Sequence, residues 1–74
     1  MADLMSRITS DPAMFGGRPC IRGMRVRVVD VLELLAAGLS HDQIIEELPY
    51  LEPDDIKAAV TYAVRRLDHP VVAA

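Results

Sequence analysis

From Val28 to Leu67 the apolar residues recur at helical spacing in three runs, separated by two short breaks rich in turn-forming residues. Val28, Val31, Leu32 and Leu35 carry the first run, Ile44, Ile45 and Leu48 the second, and Ile56, Ala59, Val60, Ala63, Val64 and Leu67 the third. Each run has a start signal. Asp30 with Glu33 forms a capping-box pair, with Val29 placed to staple onto Leu34, and Ser40 with Gln43 forms a second, stapled by Leu39 to Ile44. Leu51 and Glu52 precede Pro53 at a first helical position, with Asp54 and Asp55 in the first turn. Gly38 and Leu39 make a Schellman-type stop to the first helix, and Pro49 ends the second.

Ahead of the helices the period changes. Met24, Val26 and Val28 alternate with Arg25 and Arg27, as in a strand with one buried and one wet face. Arg7-Ile8-Thr9 reads as a short edge strand entering the turn Ser10-Asp11-Pro12, and its expected mate is Arg25 to Val28. Between them Gly16, Gly17, Pro19 and Gly23 supply the bends, and Met14 and Phe15 are placed to plug the underside of the loop. The spacing predicts a mainly α fold: a three-helix helix-turn-helix core, homeodomain-like or winged-helix-like, behind a short N-terminal strand or hairpin unit. We divide the 74 residues as one domain, with the strand and turn unit at 7–28, the helices at 29–68 and a tail at 69–74.

Composition narrows the partners. A chain this short has a small core, which makes self-association as a homodimer the expectation. Aliphatic and other hydrophobic residues reach 51% with aromatics at 4%, so the core is built from Val, Leu, Ile and Ala. No window is long and uncharged enough to span a membrane, and the first residues lack the order of a secretory signal. A single cysteine, Cys20, forms no internal disulfide, and the setting expected is cytoplasmic. A net charge of −3 argues against general nucleic-acid binding. That average conceals a split: Arg7, Arg18, Arg22, Arg25 and Arg27 face only Asp3 and Asp11 up to Val28, whereas three basic residues face nine acidic ones afterwards.

The candidate chemistry is recognition. His41 opens the second helix, His69 lies in the tail and Cys20 in the glycine-rich turn, so no catalytic set, metal site or cofactor loop is expected, and no enzyme. Cys20 reads as a small packing residue. The expected binding residues are Arg18, Arg22, Arg25 and Arg27, with Lys57, Thr61, Tyr62, Arg65 and Arg66 from the outer face of the third helix. Forked guanidinium groups suit carboxylates or phosphates of a partner, which is the reading we favour; the alternative is pairing with the acidic helices of the same or a second chain. The first turn of the third helix, Glu52-Pro53-Asp54-Asp55, would repel phosphates, so any DNA contact falls to the basic residues just named.

Ile8-Thr9, Asp11-Pro12, the run from Gly17-Arg18-Pro19-Cys20-Ile21-Arg22-Gly23 to Val26, Val31-Leu32, Gly38-Leu39-Ser40, Ile44-Ile45, Pro49-Tyr50-Leu51, Asp54-Asp55-Ile56 and Ala58-Ala59 together resemble the bacterial domain-of-unknown-function 433 family. The likeness covers about Arg7 to Arg66. It implies a small helix-turn-helix antitoxin of the VapB type, whose partner is a PIN-like ribonuclease toxin. One of Arg18, Arg22, Arg25 and Arg27 would enter the toxin's acidic Mg²⁺ site, and the dimer would bind its own promoter DNA. No membrane partner and no small-molecule substrate are implied. The alternative is a homodimeric interaction module that binds no DNA and recruits an acidic protein.

Overall fold

A computed structural model describes residues 3–68 and Pro70. The rest of the expected tail, His69 and residues 71–74, lies outside the described residues. A 3₁₀ turn at Leu4–Arg7 leads into β1 (Ile8–Thr9), a second 3₁₀ turn spans Phe15–Gly17, and β2 is Cys20–Ile21. Three helices follow: α1 (Val28–Ala36), α2 (His41–Glu47) and α3 (Pro53–Leu67). The core joins the two parts, with Ile21, Val26 and Val28 packed together with Val31, Ile44, Leu51, Ile56 and Ala59. Cys20 is buried as a packing residue.

The expected mate of β1 is corrected. β1 pairs antiparallel with β2, Ile8 opposite Ile21 and Thr9 opposite Cys20, and of the stretch Arg25 to Val28 only Arg27 forms a bridge, to Cys20. The cause is a turn placed between the two candidate strands. Met24 N–H donates to the Ile21 carbonyl at 2.8 Å, and Arg22 and Gly23 both take positive φ, 46° and 70°, as in a type I′ turn. The alternation beyond the turn survives without a strand: Val26 and Val28 are buried, Met24 and Arg27 half-buried and Arg25 exposed.

Helix boundaries follow local chemistry, with one shift. α1 begins at Val28, not after Asp30, because Asp30 sits at the third helical position and its carboxylate accepts the Arg27 N–H at 2.8 Å. The preceding Val28 N–H is satisfied by the Pro19 carbonyl at 2.9 Å, so the chain can enter the helix directly from the bridge. α1 ends as expected: Gly38 at φ 96° lets its N–H reach the Leu35 carbonyl and the Leu39 N–H reach that of Leu34. At α2 both halves of the Ser40 and Gln43 box are formed, at 3.2 and 2.8 Å.

The apolar run on α3 is buried only in part. Ile56, Ala58 and Ala59 are enclosed, whereas Val60, Val64 and Leu67 are 37%, 62% and 71% exposed. Tyr62, expected on the outer face, is instead half-buried against the core. Length explains the split. At about 1.5 Å per residue α3 runs well past the shorter α1 and α2, so its last turns have little to pack on.

Candidate partner interface

The N-terminal arginines divide into an inward set and an outward set. The inward set converges on Asp55, at the third position of α3, whose side chain is fully buried. Arg22 grips it with two groups: Nε lies 3.0 Å from Oδ1 and Nη2 lies 2.9 Å from Oδ2. Arg7 Nη1 adds a bond of 2.9 Å to Oδ1, and the Glu52 N–H donates to Oδ2 at 2.8 Å, capping the helix. The remaining reach of both arginines ties down neighbours: Arg22 Nη2 donates to the Tyr50 carbonyl at 3.0 Å, and Arg7 Nη1 to Glu52 Oε1 at 2.7 Å. One carboxylate thus fastens the 3₁₀ turn before β1, the turn after β2 and the start of α3. It also holds Arg22, a non-glycine residue in left-handed backbone, in its place.

Burial pushes the Asp55 carboxyl up, but the bonds from Arg22, the Glu52 N–H and Arg7 outweigh it and hold the group below its ordinary value. The Arg7 guanidinium is raised, chiefly by its bond to Glu52 and then by that to Asp55, and Arg22 is raised chiefly by Asp55. A carboxylate depressed in the folded state stabilises fully above its unfolded value of about 4 and loses that contribution as the pH falls through the folded value. Urea midpoints should therefore hold level near neutral pH and drop below about pH 4. In Asp55→Asn this acid limb should be shallower, and an equally steep limb in the variant would assign the drop to other carboxylates.

Arg27 is also engaged internally. Its Nη2 lies 2.8 Å from Asp30 Oδ1, and its guanidinium carbon stands 5.4 Å from the centre of the Phe15 ring. The Asp30 carboxyl is lowered, mainly by this bond. Arg18 donates to the Phe15 carbonyl at 2.9 Å and is otherwise exposed. Phe15 thus serves as a platform for Arg27 and an acceptor for Arg18. Arg66 donates to the Tyr62 hydroxyl at 3.0 Å and lies over its ring.

Of the N-terminal arginines, Arg25 is the outward one. Its side chain, and those of Lys57 and Arg65 on α3, are exposed and make no hydrogen bond or ion pair among the described residues. Arg25 lines an open recess of about 440 Å³ with Asp30, Glu33, Leu34, Leu48 and Tyr50, of which Tyr50 is 49% exposed. Lys57 and the half-buried Thr61 share a second recess with His41. Arg65 lines a third with Met5, Ile8, Tyr62 and Arg66. The expected binding residues therefore do not form one surface. Arg7 and Asp55, which fasten the turn unit to α3, are not among the expected binding residues. The available signal was the position of Asp55, one helical turn before Ala58 and Ala59 and two before Tyr62 on the enclosed side.

These features define a class: a three-helix domain with α2 and α3 in helix-turn-helix order, locked by a buried carboxylate to an arginine-rich two-stranded unit. The chain belongs to the family described as "Protein of unknown function (DUF433)", whose model matches residues 8–63. It is 43% identical over 56 residues to "Uncharacterized protein y4eO" of Sinorhizobium fredii (strain NBRC 101917 / NGR234). The match takes in 76% of this chain, and the chain spans about 25% of that relative's length. No solved structure matches it. Among the described residues no helix is long and apolar enough to cross a membrane.

Proposed function

We propose that this protein is an antitoxin-like binding protein that acts as a homodimer and neutralises a PIN-like ribonuclease. The observation that supports this reading best is Arg25, an exposed arginine with its whole fork available, beside the exposed ring of Tyr50 on an open recess. Arginine and tyrosine are the side chains that dominate binding energy when a partner covers them. A metal site built from carboxylates is the kind of anionic target a guanidinium can enter and neutralise. Arg18, close to the same turn unit, is a second candidate, whereas Arg22 and Arg27 support the surface by holding the backbone under it.

Promoter binding is the weaker half of the family pattern for this chain. Glu52 and Asp54 are exposed in the first turn of α3, where a reading helix would meet phosphates, and the cations along that helix without an ion pair among the described residues are Lys57, Arg65 and Arg66, the last held against Tyr62. This observation favours a second reading, a homodimeric module that recruits an acidic protein and binds no DNA. Co-expression with the product of the neighbouring gene, assayed for ribonuclease activity, tests the first. The expected result is co-purification that is lost in Arg25→Glu and kept in Lys57→Glu, with the far-UV spectrum unchanged in both. Capture that ignores Arg25→Glu would reject the assignment, and a mobility shift of upstream DNA weakening steeply with salt would restore the promoter role.

A further inference from the structure

The recess that Arg25 lines also carries an available charge of the opposite sign. Glu33, on α1, is exposed and lines the same recess. Among the described residues its side chain makes no hydrogen bond or ion pair, and it acts on Arg27 only through its field. The other acid there, Asp30, is already neutralised, with Arg27 Nη2 held 2.8 Å from its Oδ1. Arg25 and Glu33 are thus the two charges of this surface that a partner can still satisfy, and no ion pair joins them to each other.

The rest of the recess is apolar and fixed in place. Leu34 and Leu48 are half-buried, Val26 is buried and the ring of Tyr50 is 49% exposed. Arg22, three residues before Arg25, ties the two sides together: its Nη2 donates both to the Tyr50 carbonyl at 3.0 Å and to the buried Asp55 carboxylate at 2.9 Å. A surface held this way loses little freedom when it is covered. Its charges then select what covers it. A segment bearing only acids would satisfy Arg25 and be repelled by Glu33, and one bearing only bases would meet the reverse. A segment of charges alone would also lose water against the apolar floor without finding partners there. The shape excludes a further occupant, because two copies of this chain meeting here would set one hollow of about 440 Å³ against another and leave both floors unfilled.

We infer that the recess binds a protruding segment of a partner protein in which an apolar side chain lies close to one carboxylate and one cationic side chain. The apolar group covers Leu34, Leu48 and the Tyr50 ring, the carboxylate meets Arg25, and the cation meets Glu33. The inference rests on the reading of Arg25 and Tyr50 as the partner surface and deepens it, since the target beside Arg25 is of mixed charge and not purely acidic.

A displayed library of random peptides is the probe, selected on the immobilised whole chain and counter-selected on the variant that combines Arg25→Glu with Glu33→Lys. Enriched peptides should carry an acid, an apolar residue and a base close together, and Arg25→Glu and Glu33→Lys should each weaken the best of them by about tenfold. Glu33→Gln, which removes the charge and keeps a good helix former on α1, should weaken it roughly threefold. All these positions are exposed, so the far-UV spectra should match the wild type. Enrichment of uniformly acidic peptides, peptides indifferent to Glu33→Lys, or no peptide that distinguishes the chain from the double variant overturns the inference. Self-association that is lost in each single reversal and restored in the double one would give the recess to a second copy, and would overturn it too. The product of the neighbouring gene separates the inference from the function. Its capture lost in Arg25→Glu but indifferent to Glu33→Lys would keep the function and overturn the inference, whereas mixed-charge peptides with no such capture would sink the function and leave the inference standing.

Discussion

Asp55→Ala should lower stability by about 3 kcal/mol, the low end of the range for removing one partner of a buried ion pair. The carboxylate is fully enclosed and is met by two arginines and one backbone N–H, so its removal takes an acceptor from all three at once and leaves the Arg7 and Arg22 charges without their buried counter-ion. The low end applies because the Arg7 and Arg22 side chains are 24% and 35% exposed and can recover water when released. For 74 residues a total stability of roughly 4–11 kcal/mol is ordinary, so this one change removes a large share of it. Equilibrium urea unfolding followed by far-UV dichroism would show it as a shift of more than about a hundredfold in the folding constant. A loss under about 1 kcal/mol would mean that the three donors are satisfied elsewhere. Replacing the whole cluster, Arg7→Met with Arg22→Met and Asp55→Leu, should recover much of what the single change loses, because no charge is then left buried.

Ile56→Ala, one residue further along α3, should cost a similar amount for a different reason. Ile56 is fully buried in the cluster with Ile21, Val31 and Ile44, drawn from the strand unit and from both other helices. Removing the side chain loses its transfer free energy and leaves a cavity that three separate elements would have to close, at about 3–4 kcal/mol. The urea midpoint should fall without a change in slope, since the surface exposed on unfolding is nearly the same. Retained stability within about 1 kcal/mol would show that the core collapses around the gap. The two substitutions sit on one helical turn and should not add. Once α3 has lost its ionic anchor, part of its packing is already gone, and the double variant should lose less than the sum.

The two anchors separate what could be read in advance from what could not. The Ser40 and Gln43 box, the Pro49 stop and the glycine exit at Gly38 depend on atoms within a few residues of one another, and all three formed as expected. β1 was also legible, because β-branched residues before Ser10-Asp11-Pro12 are a local pattern. Its mate was not: Arg25 to Val28 has the better alternation, but the bend at Arg22 and Gly23 gives the pairing to Cys20 and Ile21. The same limit governs the arginines. Arg22 and Arg25 are three residues apart with the same chemistry, yet one clamps Asp55 and the other stands on an open recess.

What the sequence determined alone was therefore the mainly α class, the three helices, most of their ends and the concentration of arginine ahead of them. Those features arise from hydrogen bonds and side-chain periodicity that close over a few residues. Which arginines were inward, which carboxylate received them, and which side of α3 faced water were decided only when distant segments met. A guanidinium can pair with any acid it reaches, and the acid within reach is set by how the helices pack.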